Sequence, residues 1–367
     1  MNYFVFIKNA MDDISAICSL RDEQKDEITP IILTSGNAFK RKNNIITTEL
    51  KKDYLLDEFL QSWGDREFLV DVSRGDSDAN SEYNEHYKLN KQDNGYSGRV
   101  EYFKRIKENN KNIIPTISWN SNDNLRNILR FSLNLESYFD KIAINIHIKN
   151  ENSLKNARLI LSAIERPHKA KVILNLESIN EEYKPNESKI SEIIDELIND
   201  YSIEDIILAS SSFPDSKPKE RDIWVTTECK DMTWQIPLIF KYRSKVKVHY
   251  GDYAATSPNA ATDYIIGMQI IPCVTYFRIG YWHQMKSGND KQFEKFVELA
   301  QKIVNSAFYH NDSFCAANES ISTIAKTGEK YGTSGTWNGY KMNQHISECL
   351  NILNHLNSSW SEDTDEA

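Results

Sequence analysis

The amino-acid sequence predicts an α/β fold, a TIM-like (β/α)8 barrel with an extra N-terminal strand and a C-terminal helical extension. Three observations lead there. Apolar stretches of strand length alternate with amphipathic stretches of helix length from residue 29 to residue 308. The connections are mostly too short for a second core, which favours one closed parallel sheet over separate domains. Within the strands, apolar residues recur with a period of two. One face suits covering helices, while the polar face needs a barrel interior or a cleft. A doubly wound open sheet is the alternative architecture.

Strand 3–7 opens the chain, with no basic region before it and no small-residue cleavage site after it, as expected of a cytoplasmic protein. It brings the candidate strands to nine where a barrel needs eight, so it is assigned as the extra one, a cap across the barrel floor. Helix 9–20, strand 27–36 and helix 51–63 follow. Strand 68–74 is separated from helix 98–110 by a polar insertion of about 25 residues, rich in Asn, Asp and Gly. Then come strand 113–119, helix 122–138, strand 141–148, and helix 152–165 with Asn152 or Ser153 as cap. Strand 171–177, helix 187–200 and strand 204–212 repeat the unit.

A longer connection holding Pro214, Pro218 and Trp224 leads to helix 229–242 and strand 245–250. Ser257 and Pro258 start helix 258–270, because proline at the first helical position has no N–H to lose. Strand 273–280 and helix 289–308 close the series. The barrel then takes residues 1–308, an extension packed on it takes 309–360 with a last helix 341–356, and 361–367 is an acidic tail expected to be disordered.

Composition narrows the function classes. With 40% hydrophobic and 26% charged residues the chain can bury a core, and no apolar run reaches the roughly 20 residues that span a bilayer. A net charge of −9 speaks against general affinity for nucleic-acid phosphates. The five cysteines (Cys18, Cys229, Cys273, Cys315, Cys349) have neither zinc nor redox spacing and read as reduced, buried thiols. G-x-S-x-G, Walker and G-x-G-x-x-G motifs are absent from the sequence, so no cofactor is named.

The polar faces converge on a candidate site. The isoleucines at 142, 144, 146 and 148 leave Asn145 and His147 on the other face; Val172, Leu174 and Leu176 leave Asn175 and Glu177; Phe68, Val70 and Val72 leave Asp71. Ser118 ends its strand in the same way, and Lys247 and His249 share the polar face of strand 245–250. Chemistry in such barrels sits at the carboxyl ends of the strands. Glu177, His249 and Lys247 are the candidate catalytic residues, with Glu177 or His249 as general base. Asp71, Arg74, Ser118, Asn145, His147, Asn175 and Arg278 are the candidate ligand-binding residues, the cations and the turn amides near Gly251 suiting a small anionic ligand. Asp71, His147, Glu177 and His249 are also of the types that bind a divalent ion, although no local metal motif is present.

Gly251-Asp-Tyr-Ala254 with Pro258, Trp337 followed by Asn343-Gln-His345, Trp234, the 313–321 segment and the Tyr3 strand leading to Ile28-Thr-Pro-Ile together resemble the beta protein family, whose namesake is a satellite-phage protein. The chain departs from the pattern at Asn338 and Gln344, where arginine and a second histidine are expected. The resemblance implies a phage or bacterial protein of mobile elements, acting in anti-phage defence or a toxin-neutralising module. It marks Asp252, Tyr253, Trp337, Asn343 and His345 as motif positions, which adds Asp252 to the candidate catalytic residues and Tyr253 to the candidate ligand-binding ones. Three readings follow: a barrel binding a small anionic, nucleotide-like ligand; a metal-assisted phosphoester hydrolase; and a non-enzymatic partner of a defence-module protein.

Overall fold

The computed structural model describes residues 2–35, 39–42, 45–50, 52–72, 82–180, 183–258 and 269–365. In chain order these form β1 (Tyr3–Lys8), α1 (Met11–Cys18), α2 (Asp22–Glu27), β2 (Ile28–Leu33), a hairpin of β3 (Phe39–Lys42) and β4 (Ile45–Leu50), and a π-helical turn Leu55–Phe59 running into α3 (Leu60–Trp63). Next come β5 (Phe68–Asp71), α4 (Glu82–His86), α5 (Asp93–Asn109), β6 (Ile113–Ile117), α6 (Leu125–Tyr138), β7 (Ile142–His147), α7 (Glu151–Ala163), β8 (Ala170–Ser178), α8 (Glu187–Tyr201) and β9 (Asp205–Ser211). The chain ends with β10 (Val225–Glu228), α9 (Asp231–Tyr242), β11 (Lys247–Asp252), β12 (Cys273–Arg278), β13 (Tyr281–Lys286), α10 (Lys295–Val304), α11 (Ala316–Thr327) and α12 (Ser334–Asp365).

Eight parallel strands close in the order β1-β11-β9-β8-β7-β6-β5-β2. The barrel is the expected one, but its membership differs at both ends. The first strand is not an extra cap. It is the seam, paired with β2 from Tyr3–Ile28 to Lys8–Leu33 and with β11 from Tyr3–Tyr250 to Val5–Asp252. Phe4 and Phe6 pack into the interior and Tyr3, Val5 and Ile7 into the helical layer, so both faces are apolar, as a strand buried on both sides requires.

The extra strands lie after the barrel. β12 pairs antiparallel with β13, and β13 with β10. Ile279 (φ 45°) and Gly280 (φ 75°) are both left-handed between β12 and β13, the two-residue hairpin geometry that commits β12 to an antiparallel partner. Residues 259–268, and with them most of the expected helix 258–270, lie outside the described residues, as do 73–74 at the end of the expected strand 68–74 and 75–81 of the polar insertion. The last helix begins at Ser334, earlier than expected, and the side chains from 359 onward, including those of the acidic tail, are likewise outside the described residues. No helix among the described residues is long and apolar enough to cross a membrane.

Inside the barrel, Phe4, Phe6, Ile31, Leu69, Ile173 and Ile207 form an apolar plug. Gly251 faces the same space, where an added Cβ would sit 3.0 Å from both Ile207 Cγ2 and Leu208 O, so the small residue is what lets β11 lie close against β9.

Below the plug lies a charged floor. Lys171 Nζ donates to Asp205 Oδ2 at 2.6 Å, His249 Nε2 lies 3.2 Å from Asp205 Oδ1, and the Asn2 N–H donates to His249 Nδ1 at 3.1 Å. Burial alone would raise the Asp205 carboxyl, but the His249 hydrogen bond and the Lys171 ammonium hold it down to about 2. A carboxyl depressed on folding stabilises above its unfolded value and loses that contribution as pH falls toward the folded one. Asp205→Asn should therefore lower stability at neutral pH by about 1–3 kcal/mol, and the gap to wild type should close between about pH 4 and pH 2 in urea titrations.

Candidate functional site

The opposite, carboxyl end of the barrel holds a cavity of about 320 Å³, to which β1, β2, β5, β7 and β8 and the segment after β11 contribute. Because alternate residues face inward, the same register that seats the plug delivers Lys8, Asp71, Asn145, His147 and Asn175 to this mouth. Asn145 Nδ2 donates to Asp71 Oδ2 (2.7 Å) and Asn175 Nδ2 to Asn145 Oδ1 (3.3 Å). The Asn175 amide also exchanges hydrogen bonds with the Tyr253 hydroxyl (2.8 and 3.1 Å), whose ring stacks on Phe6 at 4.4 Å. Three strands and the post-β11 turn are thus tied by side chains alone.

Glu177 reaches the rim by a local irregularity. The β8–β9 register breaks between Asn175 and Ser178, and Glu177 takes a left-handed φ of 53° while its N–H donates to Asn175 Oδ1 at 2.8 Å. For a non-glycine residue that conformation costs about 1–2 kcal/mol, and such strain concentrates at functional sites. It sets the carboxylate 2.9 Å from His147 Nδ1.

The two acids of the mouth are driven in opposite directions. The His147 hydrogen bond, outweighing burial, holds Glu177 below the usual carboxylate range. Burial pushes Asp71 up, against the nearby Ser118 hydroxyl, the Asn145 hydrogen bond and the His147 and Arg99 charges. Asp71 is 2% exposed, and its Oδ1 has no hydrogen-bond partner among the described residues. Divergent environments of this kind separate a proton donor from an acceptor.

Of the residues expected at the site, Asp71, Asn145, His147, Asn175, Glu177 and Tyr253 line the cavity. Others do not. Lys247 is exposed beside Asp205, and His249 belongs to the floor. Their inward direction follows from the alternation, but they start β11 rather than end it, and the plug separates them from the mouth. Asp252, one residue from inward-facing Gly251, points outward into the helical layer. There its carboxylate accepts from the Tyr3 hydroxyl (2.6 Å), the Tyr250 hydroxyl (3.0 Å) and the Ala254 N–H (2.9 Å), and is paired with His345 (2.7 Å).

Arg278 lies on β12, outside the barrel, where Nη1 donates to the buried Glu348 at 3.0 Å beside His310. Ser118 is buried behind Asp71, its hydroxyl on Val72 O (3.3 Å) and its carbonyl on Arg99 Nη1 (2.9 Å). Arg74 lies outside the described residues.

The cavity also recruits residues not singled out above: Lys8, Lys149, Trp119 and the asparagines 120, 122, 150, 152 and 156. Lys8 continues the Phe4, Phe6 alternation and was readable once β1 is a barrel strand. The asparagines sit in the loops after β6 and β7 or in the first turns of α7, and the rule that barrel chemistry collects in such loops was their available signal.

Asn343 and His345 hold the last helix to the barrel, and Trp337 holds it to α10. Trp337 Nε1 donates to Tyr331 O (2.8 Å) and its ring stacks on Phe296, while Asn343 Nδ2 donates to Ala16 O (3.1 Å). Gln344 donates to Phe277 O (2.7 Å) and accepts from Phe277 N (2.9 Å), pairing with β12 as another strand would.

A closed parallel barrel whose carboxyl end opens on a pocket of acids, amides and lysines is an α/β-barrel protein of the (β/α)8 type. More particularly, the chain belongs to the Beta protein family, whose model matches residues 5–351, from β1 into α12. No curated protein matches it.

A carboxyl raised by burial destabilises the fold once pH exceeds the unfolded value, because the folded state must either hold the proton or bury the charge. Asp71→Asn should therefore melt higher than wild type at about pH 8, with the difference vanishing below about pH 4. Thermal unfolding followed by circular dichroism across that range measures it.

Proposed function

We propose that this beta-family protein binds a small anionic, nucleotide-like ligand in the barrel mouth, as part of an anti-phage defence or toxin-neutralising module of a phage or bacterial mobile element. The observation that supports it is Oδ1 of buried Asp71 in the cavity, which has no hydrogen-bond partner among the described residues, at the end of the Asn145, Asn175 and Tyr253 chain. A buried polar atom without a partner costs about 1–3 kcal/mol, so it suits a ligand that brings a hydroxyl or an amine. Lys8 and Lys149 line the same cavity and favour a negative group on that ligand. Sugar and nucleoside phosphates combine both features. Family membership supports the setting.

The opposite displacement of Asp71 and Glu177 favours a second reading, hydrolysis of a bound phosphoester with Asp71 as proton donor and Glu177 with His147 as acceptor. The metal-assisted form of that reading lacks His249, which lies at the floor.

Calorimetric titration with a panel of nucleoside and sugar phosphates tests the binding. Lys149→Ala should weaken a hit about tenfold, close to 1.4 kcal/mol, whereas Lys247→Ala should leave it unchanged because Lys247 is at the other end. Release of phosphate that is lost in Glu177→Gln while binding persists would establish the hydrolase. A panel with no saturable binding would sink the ligand reading and leave the interaction role.

A further inference from the structure

On the outward face of β11, across the barrel wall from the mouth, the end of that strand meets α12. Asp252 comes from the strand, and His345 and Cys349 come from one face of the helix, four residues apart. All three are buried, at 3%, 1% and 0% exposure. One donor atom from each lies within 4.8 Å of the other two. His345 Nε2 is 2.7 Å from Asp252 Oδ2 and 3.3 Å from Cys349 Sγ, and Sγ is 3.7 Å from Oδ2.

The arrangement is a poor hydrogen-bond network. The Tyr250 hydroxyl, the His345 ring nitrogen and the Cys349 thiol all converge on the single oxygen Oδ2, one group more than its two lone pairs take. A metal ion wants that convergence. A tetrahedral ion with nitrogen, oxygen and sulfur ligands needs edges of about 3.3–3.6 Å, so the Nε2–Oδ2 edge has to open, and Sγ, which lies beside the ring at 3.8 Å from Nδ1, has to swing toward the Nε2 lone pair. Two further features fit. The carboxylate is oriented by the Tyr3 hydroxyl and the Ala254 N–H on Oδ1, the kind of support metal-bound carboxylates receive, and the His345 ring is fixed by stacking on Trp282 at 4.6 Å. The Tyr250 hydroxyl, 3.0 Å from Oδ2, is an oxygen donor at hand for a fourth position. The charges balance as well: a divalent ion is neutralised by one carboxylate and one thiolate, with the imidazole neutral.

We infer that Asp252, His345 and Cys349 bind a divalent, borderline-soft transition metal ion of the zinc class as a closed structural site fastening α12 to the β1–β11 seam. Sulfur and imidazole exclude magnesium and calcium as preferred occupants, and burial leaves no open position for substrate. The ion would enter as the chain folds and add its binding energy to folding.

The test is metal analysis of the full-length protein purified without chelator, followed by refolding in cobalt(II). About one zinc per chain and a cobalt spectrum with thiolate charge-transfer and tetrahedral ligand-field bands are expected. Cys349→Ser should remove the charge-transfer band, and Cys229→Ser, altering a nearby buried thiol outside the set, should keep it. Should the Cys349 variant fail to fold, the wild-type cobalt spectrum decides, because an ion held instead by Asp71, His147 and Glu177 has no sulfur ligand. A protein that takes up no zinc or cobalt, or one whose bound cobalt shows no thiolate band, overturns the site.

Discussion

Everything in this protein depends on the pairing of β1 with both β2 and β11. Until that strand is in place the sheet has two open edges and no interior, and the period-two alternation has nothing to sort. Once the sheet closes, each strand residue is committed to the inside or to the helical layer, and its level along the strand decides whether it meets the floor, the plug or the mouth. Phe4, Phe6 and Lys8 illustrate the sequence of levels on a single strand, from plug to rim.

The apolar plug divides two polar systems with different physics. At the floor, Lys171, Asp205 and His249 meet charge with charge, and the carboxylate is strongly favoured in its ionised form. At the mouth, amides of Asn145 and Asn175 carry the network, and burial outweighs the lowering effect of His147 and Arg99 on Asp71. A floor satisfied by its own ions holds strands together. At the mouth, an oxygen without a partner among the described residues and a left-handed Glu177 each carry a local cost.

The extension after the barrel is fastened through side chains as well as apolar packing. Gln344 pairs with the backbone of β12, Asn343 with the end of α1, and His345 with Asp252 behind the seam. The family model spans both barrel and extension, consistent with the two forming one structural unit. The motif positions Asp252 and Tyr253, adjacent in sequence, serve opposite sides of the wall: one ties down the helix, the other shapes the mouth.

By itself the sequence determined the architecture and the inward faces. Alternation of Ile142, Ile144 and Ile146 with Asn145 and His147 is a local property, and local backbone geometry alone assigns those side chains to opposite sides. It also located Asp71, Asn175, Glu177 and Tyr253. Tertiary structure decided what alternation leaves open. Level along a strand depends on where β11 starts in the stagger of the barrel, which sent Lys247 and His249 to the floor. Membership of the sheet depends on which edge finds a partner, which made β1 the seam and gave β12 to a hairpin. The convergence of Asp252 with His345 and Cys349, 93 and 97 residues further on, exists only because a helix folds back across the seam, and no spacing within the chain encodes it.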